Sequence, residues 1–199
     1  LKQNIFFFVN GKEEYLMTGM LEPTSEPYAI AKIAGFRMCQ SYKRQYGANF
    51  IAAVPADIYG PMDDFNPETG HVLAALLSKM HLAKTKAQSS VTVWGTGSPK
   101  RDCLYVDDMA DAAFFLMDKY DDAELINIGS GQDVSIKEMT GIIKDAVGFK
   151  GDIIFDTSKP DGMPRKLLEV SKIRQLGWSA RVGMEQGMRQ TYEWYVKNS

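Results

Sequence analysis

Cysteine is scarce in this chain of 199 residues, which holds only Cys39 and Cys103. Two cysteines, one in a helical stretch and one in a strand-like stretch, make no disulfide framework and read as small apolar side chains of a reducing compartment. A cytoplasmic location is therefore expected. Histidine is equally rare, and although Asp63, Asp64 and Glu68 crowd one loop, they lack octahedral spacing and an adjacent pair of histidine ligands. No metal is expected. An excess of positive charge is also missing, since 23 Lys and Arg face 25 Asp and Glu for a net charge of −2. That balance argues against nucleic acid or an anionic membrane as partner, and any anionic ligand must be held by a few placed cations.

Long apolar runs are absent as well. The opening run Ile5–Val9 is far shorter than the roughly 20 residues that span a bilayer, and no small-residue cleavage site follows it. It reads as a strand closed by a turn at Asn10–Gly11. No internal repeat or low-complexity tract occurs. A glycine-rich phosphate turn is missing too. Gly129–Ser130–Gly131 follows a strand-like run but lacks the G-x-G-x-x-G spacing, and Ser135 with Glu138 forms a capping box that accounts for the next helix without a phosphate.

What is present is an ordinary globular composition, 45% hydrophobic and 24% charged, in helices and strands that alternate. Helices are predicted from just before Tyr28 to about Arg44, at His71–Lys84, Met109–Lys119 and Ile136–Val147, and near Lys172 and Met184. Strands are predicted at Asn49–Val54, Val91–Trp94, Cys103–Val106, Leu125–Ile128 and Asp152–Asp156, with loops at 55–70 and 158–164. Asp107 or Asp108 is the expected cap of the Met109 helix. In the first helix Ser25 is the expected N-cap, Pro27 suits the first turn, and Ala31, Gly35, Met38 and Tyr42 form a stripe of helical period that is expected to be buried. The alternation predicts an α/β fold with a parallel sheet.

Tyr28 and Lys32 stand four residues apart, on one face of that helix. An ammonium beside a phenol stabilises the phenolate, so such a tyrosine can exchange a proton with a substrate carbonyl or alcohol. Bare Tyr-x-x-x-Lys spacing also arises by chance as a half-buried tyrosine beside a solvated lysine.

The surroundings add weight. Pro27–Tyr28–Ala29–Ile30–Ala31–Lys32, the apolar run before Asp57, and Ile58–Tyr59–Gly60–Pro61 resemble the extended short-chain dehydrogenase/reductases. The further stretches DIYGPMDDFNP, VTVWGTGSPKRDCLYVDDMA and DTSKPDGMPRKLLEV resemble the branch that epimerises and reduces GDP-4-keto-6-deoxymannose. The likeness runs from about Glu13 to Asn198, whereas Leu1–Lys12 has no counterpart.

The resemblance implies the C-terminal part of a Rossmann-type parallel sheet joined to a smaller α/β substrate-binding domain. Residues 1–61 would be a remnant of the dinucleotide-binding domain, 62–199 mainly substrate-binding, with the strand near 125–128 returning to the dinucleotide-binding sheet. It implies NADPH as cofactor, a GDP-sugar as substrate and a homodimer. The catalytic residues would be Tyr28, Lys32 and His71, the last as general acid in epimerisation at C3 and C5. Cofactor contacts would fall on Tyr28, Lys32, Pro55, Asp57, Ile58 and His71. Substrate contacts would fall on Lys79, Trp94, Arg101, Lys159, Arg165 and Lys166. Asp57 and Lys79 stand where the family usually has asparagine and arginine. Since the glycine-rich segment is missing, the chain is expected to be the C-terminal two-thirds of such an enzyme, inactive alone. Another nucleotide-sugar epimerase or dehydratase and a non-catalytic nucleotide-sugar-binding module stay open as alternatives.

Overall fold

The computed structural model describes residues 11–21, 23 and 26–199. The expected strand at Ile5–Val9, Asn10 of the expected turn and the Ser25 cap lie outside these residues. Six α-helices and eight short strands alternate along the described chain. The strands are β1 (Ala53–Pro55), β2 (Asp57–Tyr59), β3 (Ser90–Trp94), β4 (Lys100–Tyr105), β5 (Ile126–Ile128), β6 (Asp133–Ser135), β7 (Asp152–Asp156) and β8 (Arg165–Lys166). The helices are α1 (Glu26–Tyr46), α2 (Val72–Thr85), α3 (Val106–Lys119), α4 (Ile136–Val147), α5 (Ser171–Gln175) and α6 (Met184–Asn198).

Pairing is mostly parallel, as helical crossovers between strands require. β1 pairs with β5, β2 with β4 and β3 with β7, all parallel. β4 also takes β6 antiparallel and β8 parallel. This strand divides two cores, because successive side chains of a strand leave opposite faces. Tyr105 and Cys103 join the core built by α2, α4, α6, β3 and β7. Leu104 between them joins the core of α3, α5 and β5.

α2 is buried almost all round, at Leu73–Ser78, Met80 and Ala83, which is the pattern of a helix inside a core rather than on its surface. α4 starts and stops where the sequence predicts. Ser135 Oγ accepts the Glu138 N–H at 3.1 Å and Glu138 Oε2 accepts the Ser135 N–H at 2.8 Å. Gly148 closes the helix with φ +70°, a conformation glycine adopts without strain.

Other expectations are corrected. The stripe Ala31, Met38 and Tyr42 of α1 is exposed and Gly35 half-buried, while Phe36 and Gln40 are the buried residues. Among the described residues nothing covers that face. α1 is held instead on its other side, where Gln40 donates to Glu124 at 3.3 Å and Lys43 pairs with Asp121. The strand expected at Asn49–Val54 shortens to Ala53–Pro55, because its partner β5 is only three residues long. The loop expected at 55–70 contains β2, formed by pairing with β4. α3 begins at Val106 behind Tyr105 without a side-chain cap. Asp108, expected as a cap, is buried and accepts the N–H groups of Arg181 and Val182 at 3.1 and 2.9 Å.

Asp102 of β4 fastens that strand to the turn after β5. It is 2% exposed, and its Oδ1 accepts from Ser130 N–H and Oγ–H at 3.0 and 2.6 Å, while Oδ2 has no partner among the described residues. Gly129 passes so close to Oδ2 that a Cβ there would collide with it. Burial raises the Asp102 carboxyl above its usual range, and the Ser130 bonds oppose that rise. A carboxyl raised on folding stabilises most below the free value of 3.8 and loses that contribution as pH climbs through the folded value. Asp102→Asn, which keeps the acceptor without the charge, is expected to hold or gain stability at pH 7 and to flatten this part of the pH dependence. Asp102→Ala, which orphans the Ser130 donors, is expected to lose about 1–3 kcal/mol. Urea unfolding of both variants at pH 4 and pH 7 measures this, and an Asn variant as unstable as the Ala variant would remove the buried-charge account.

Candidate functional site

The site is framed by the segment between β2 and α2. β2 ends at the Gly60–Pro61 turn, where a Cβ on Gly60 would collide with Val106 and Met62 sits at φ +67°. Short polar side chains then replace missing backbone partners. Asp63 Oδ1 accepts the Asp64 N–H at 2.8 Å, Asp64 Oδ1 accepts Asn66 N–H at 3.0 Å, and Asn66 Oδ1 accepts Glu68 and Thr69 N–H at 2.8 and 3.2 Å. Gly70 N–H closes on Asn66 O at 2.9 Å. Phe65 anchors the loop on α6, with ring centroids 6.0 Å from Trp194 and 4.8 Å from Tyr195. His71 follows as the N-cap residue of α2. Its side chain is 86% exposed, with Nδ1 3.9 Å from Asp63 Oδ1.

Beside His71 opens a cleft of about 790 Å³, within the size range of small-ligand sites. One wall is the Pro67–Gly70 segment with the start of α2 as far as Lys79; the other is β3, the turn after it, Arg101 and the loop 160–162. The turn is locked to that loop, since Asp161 accepts from Thr96 N–H and Oγ–H at 2.8 and 2.7 Å. Gly95, at φ +82°, leaves the room that Asp161 fills.

Three of the sequence-predicted substrate residues, Lys79, Trp94 and Arg101, meet on this cleft. Trp94 is 69% exposed, and Lys159 lies over its ring with Nζ 5.7 Å from the centroid, close enough for a cation–π contact. Arg101 Nη1 donates to the carbonyls of Lys100 and Met163, both at 2.7 Å. Neither Lys79 nor Arg101 has a carboxylate within 4.0 Å among the described residues. Two cations without acid partners beside an open indole suit a ligand that is anionic at one end and planar at the other.

Arg165 and Lys166 are placed differently. Arg165 pairs with Asp133 and Lys166 is exposed in β8, and neither lines the cleft. Tyr28 and Lys32 come together on α1, Nζ 5.3 Å from the ring centroid, with Tyr28 68% exposed. Pro55 ends β1, while Asp57 and Ile58 open β2, and all three are exposed. Burial pushes the Tyr59 hydroxyl and the Cys103 thiol upward, so both stay neutral near the site. Sequence reasoning missed Asp161 and the Asp63 contact to His71. Thr96 and Asp161 are 65 residues apart, and no local pattern joins them. Asp63 and His71 bracket a loop whose acids the sequence weighs only as metal ligands.

Comparison with known proteins places these features in a family. Residues 8–129 match the NAD dependent epimerase/dehydratase family, so the likeness begins before the expected start at Glu13. The chain is 52% identical over 186 residues to the probable GDP-L-fucose synthase 1 of Oryza sativa subsp. japonica, covering 94% of this chain and 57% of that relative. It is 46% identical over 195 residues to the GDP-L-fucose synthase of Escherichia coli strain K12, covering 94% and 61%. The chain thus spans about three-fifths of the length of these relatives. The crystal structure of a GDP-L-fucose synthetase from Naegleria fowleri bound to NADP superposes with a TM-score of 0.91 at 30% identity, over 98% of this chain and 63% of that one. The parallel pairing of short strands, the Tyr28–Lys32 pair and the matched sequence lead to one conclusion: the chain belongs to the NAD dependent epimerase/dehydratase family.

Proposed function

We propose that this chain carries the substrate-binding part of an NADPH-dependent epimerase/reductase that converts GDP-4-keto-6-deoxy-D-mannose to GDP-L-fucose. The observation that carries the reading is the cleft shared by Lys79, Trp94 and Arg101. A diphosphate satisfies cations that lack acid partners, and the guanidinium can grip it through two N–H groups. The indole offers a face to a planar base or ring. Lys159 adds charge over the Trp94 ring, with Lys166 and the Asp133-paired Arg165 further out.

The proposed chemistry divides between two groups of residues. His71, at the head of α2, delivers a proton to the carbon next to the ketone once a base on the opposite face of the sugar has taken one; an imidazole can give a proton from one ring nitrogen and regain it, which suits that exchange. Tyr28 then gives its phenolic proton to the C4 oxygen, and Lys32 stabilises the negative charge left on the Tyr28 phenolate oxygen. NADPH, when bound, supplies the hydride. Tyr28 and Lys32 present accessible polar groups for its nicotinamide half, and Pro55, Asp57 and Ile58 lie at the carboxyl end of β1, where open α/β sheets receive ligands. His71 would contact the same half.

In this reading the β1–β5 pair is part of the dinucleotide-binding sheet, and residues from 62 onward build mainly the substrate domain. The exposed apolar residues of α1, including Ile30, Met38 and Tyr42, suit a homodimer contact. No helix among the described residues is long and apolar enough to cross a membrane; the free cysteines Cys39 and Cys103 suit a cytoplasmic enzyme.

The 199-residue polypeptide is expected to bind GDP-mannose better than UDP-glucose in isothermal titration, and to bind NADPH weakly, because its sequence has no glycine-rich turn for the pyrophosphate. Equal affinity for the two nucleotide-sugars would overturn the substrate reading. Tight stoichiometric NADPH binding would show that the cofactor is held elsewhere on the chain.

A further inference from the structure

We propose that Asp63 is the positioning residue for His71, accepting a hydrogen bond from Nδ1–H and leaving Nε2 as the nitrogen that exchanges protons with substrate. This deepens, and rests on, the assignment of His71 as the epimerisation acid.

Of the two partners, the carboxylate is the one held in place. Asp63 is only 16% exposed in its side chain, and its Oδ1 already accepts the Asp64 N–H at 2.8 Å. The loop that follows is closed on itself through Asp64, Asn66 and Gly70 and is seated on α6 by Phe65. His71 is the opposite case, 86% exposed in its side chain. A fixed carboxylate beside a loosely held imidazole sets the orientation of the imidazole, not the reverse. The separation of 3.9 Å between Nδ1 and Oδ1 is longer than a closed hydrogen bond, as catalytic contacts often are before substrate tightens them.

Chemistry favours the same arrangement. The ring nitrogen that carries the proton is decided by the bond the other nitrogen makes. A carboxylate on Nδ1–H stabilises the imidazolium and fixes the neutral form with Nε2 bare. Two other acids lie in the loop: Asp64 Oδ1 is engaged by the Asn66 N–H, and Glu68 lines the cleft. Asp63 is the acid within 4.0 Å of the ring among the described residues. Lys79, the cation further along α2, belongs to the cleft wall.

Long-range proton–nitrogen spectra of the 15N-labelled 199-residue chain, recorded at a pH where imidazole is neutral, read the tautomer directly. His81, whose Nδ1 lies 3.1 Å from the Tyr192 hydroxyl, is assigned by comparison with His81→Gln. Wild type is expected to show His71 mainly as the Nδ1–H form. Asp63→Ser, whose hydroxyl can still accept the Asp64 N–H but cannot reach the imidazole, is expected to change the ratio at least about fivefold toward Nε2–H. Asp64→Asn is expected to leave it unchanged. A majority of Nε2–H in wild type overturns the proposal without recourse to any variant, as does a ratio that Asp64→Asn moves as far as Asp63→Ser. Failure of the underlying reading looks different: epimerisation that survives His71→Gln in the full-length enzyme removes the acid role, while the tautomer measured here needs no turnover.

Discussion

Replacing Tyr28 by phenylalanine in the full-length enzyme is expected to lower the rate of ketone reduction at least about a hundredfold while leaving GDP-sugar affinity within about twofold. Positioned acid–base groups contribute about 10²–10⁴ in rate, and only the phenolic hydroxyl is removed while the ring remains. The substitution is mild structurally because Tyr28 is 68% exposed and its hydroxyl makes no hydrogen bond among the described residues. Lys32→Met is expected to do comparable damage, since the ammonium lies 5.3 Å from the ring centroid and offsets the charge that proton transfer leaves there. Proton exchange at C3 and C5, assigned to His71, should continue in both variants. The decisive measurement is a paired assay: deuterium uptake from solvent at those carbons against consumption of NADPH. Near-normal reduction in Tyr28→Phe would sink the assignment, whereas simultaneous loss of both steps would point to general damage at the site.

That separation depends on structure which the sequence discloses unevenly. α4 and β7 are found at their predicted bounds because their signals are local: a capping box at one end, a left-handed glycine at the other, and an apolar run between turns. β2, β6 and β8, each two or three residues long, carry no period of their own; they exist because β4 offers edges on which to pair. α1 shows the converse. Its apolar stripe is real in the sequence, yet burial is a relation between two surfaces, and the second surface is not among the described residues. The cleft was legible as residues but not as a place. Lys79, Trp94 and Arg101 were singled out through family resemblance, and their convergence depends on α2, β3 and β4 packing around shared cores. Asp161, which ties the far wall to the β3 turn, gave no sign before the fold was known.

Arg101 carries the second large expectation. Arg101→Ala in this chain should weaken GDP binding by roughly thirty to a hundredfold, since a charge-assisted contact to a diphosphate contributes about 2–3 kcal/mol when partly desolvated. An arginine free in solvent would contribute almost nothing; this one is half-buried against the 160–164 loop, with Nη1 on two backbone carbonyls and no acid partner among the described residues. Those two bonds create a competing account, in which alanine merely frees the Met163 carbonyl and loosens the cleft wall. Arg101→Lys separates the two. It keeps the charge but cannot hold both carbonyls and grip a diphosphate with a planar fork, so direct recognition predicts an intermediate affinity with an unchanged unfolding midpoint. Titration at two salt concentrations removes general charge attraction, which is screened at long range. If alanine and wild type bind GDP equally, Arg101 leaves the site; if affinity falls only in step with stability, the guanidinium is a brace for the loop and the diphosphate is held by Lys79 and Lys159.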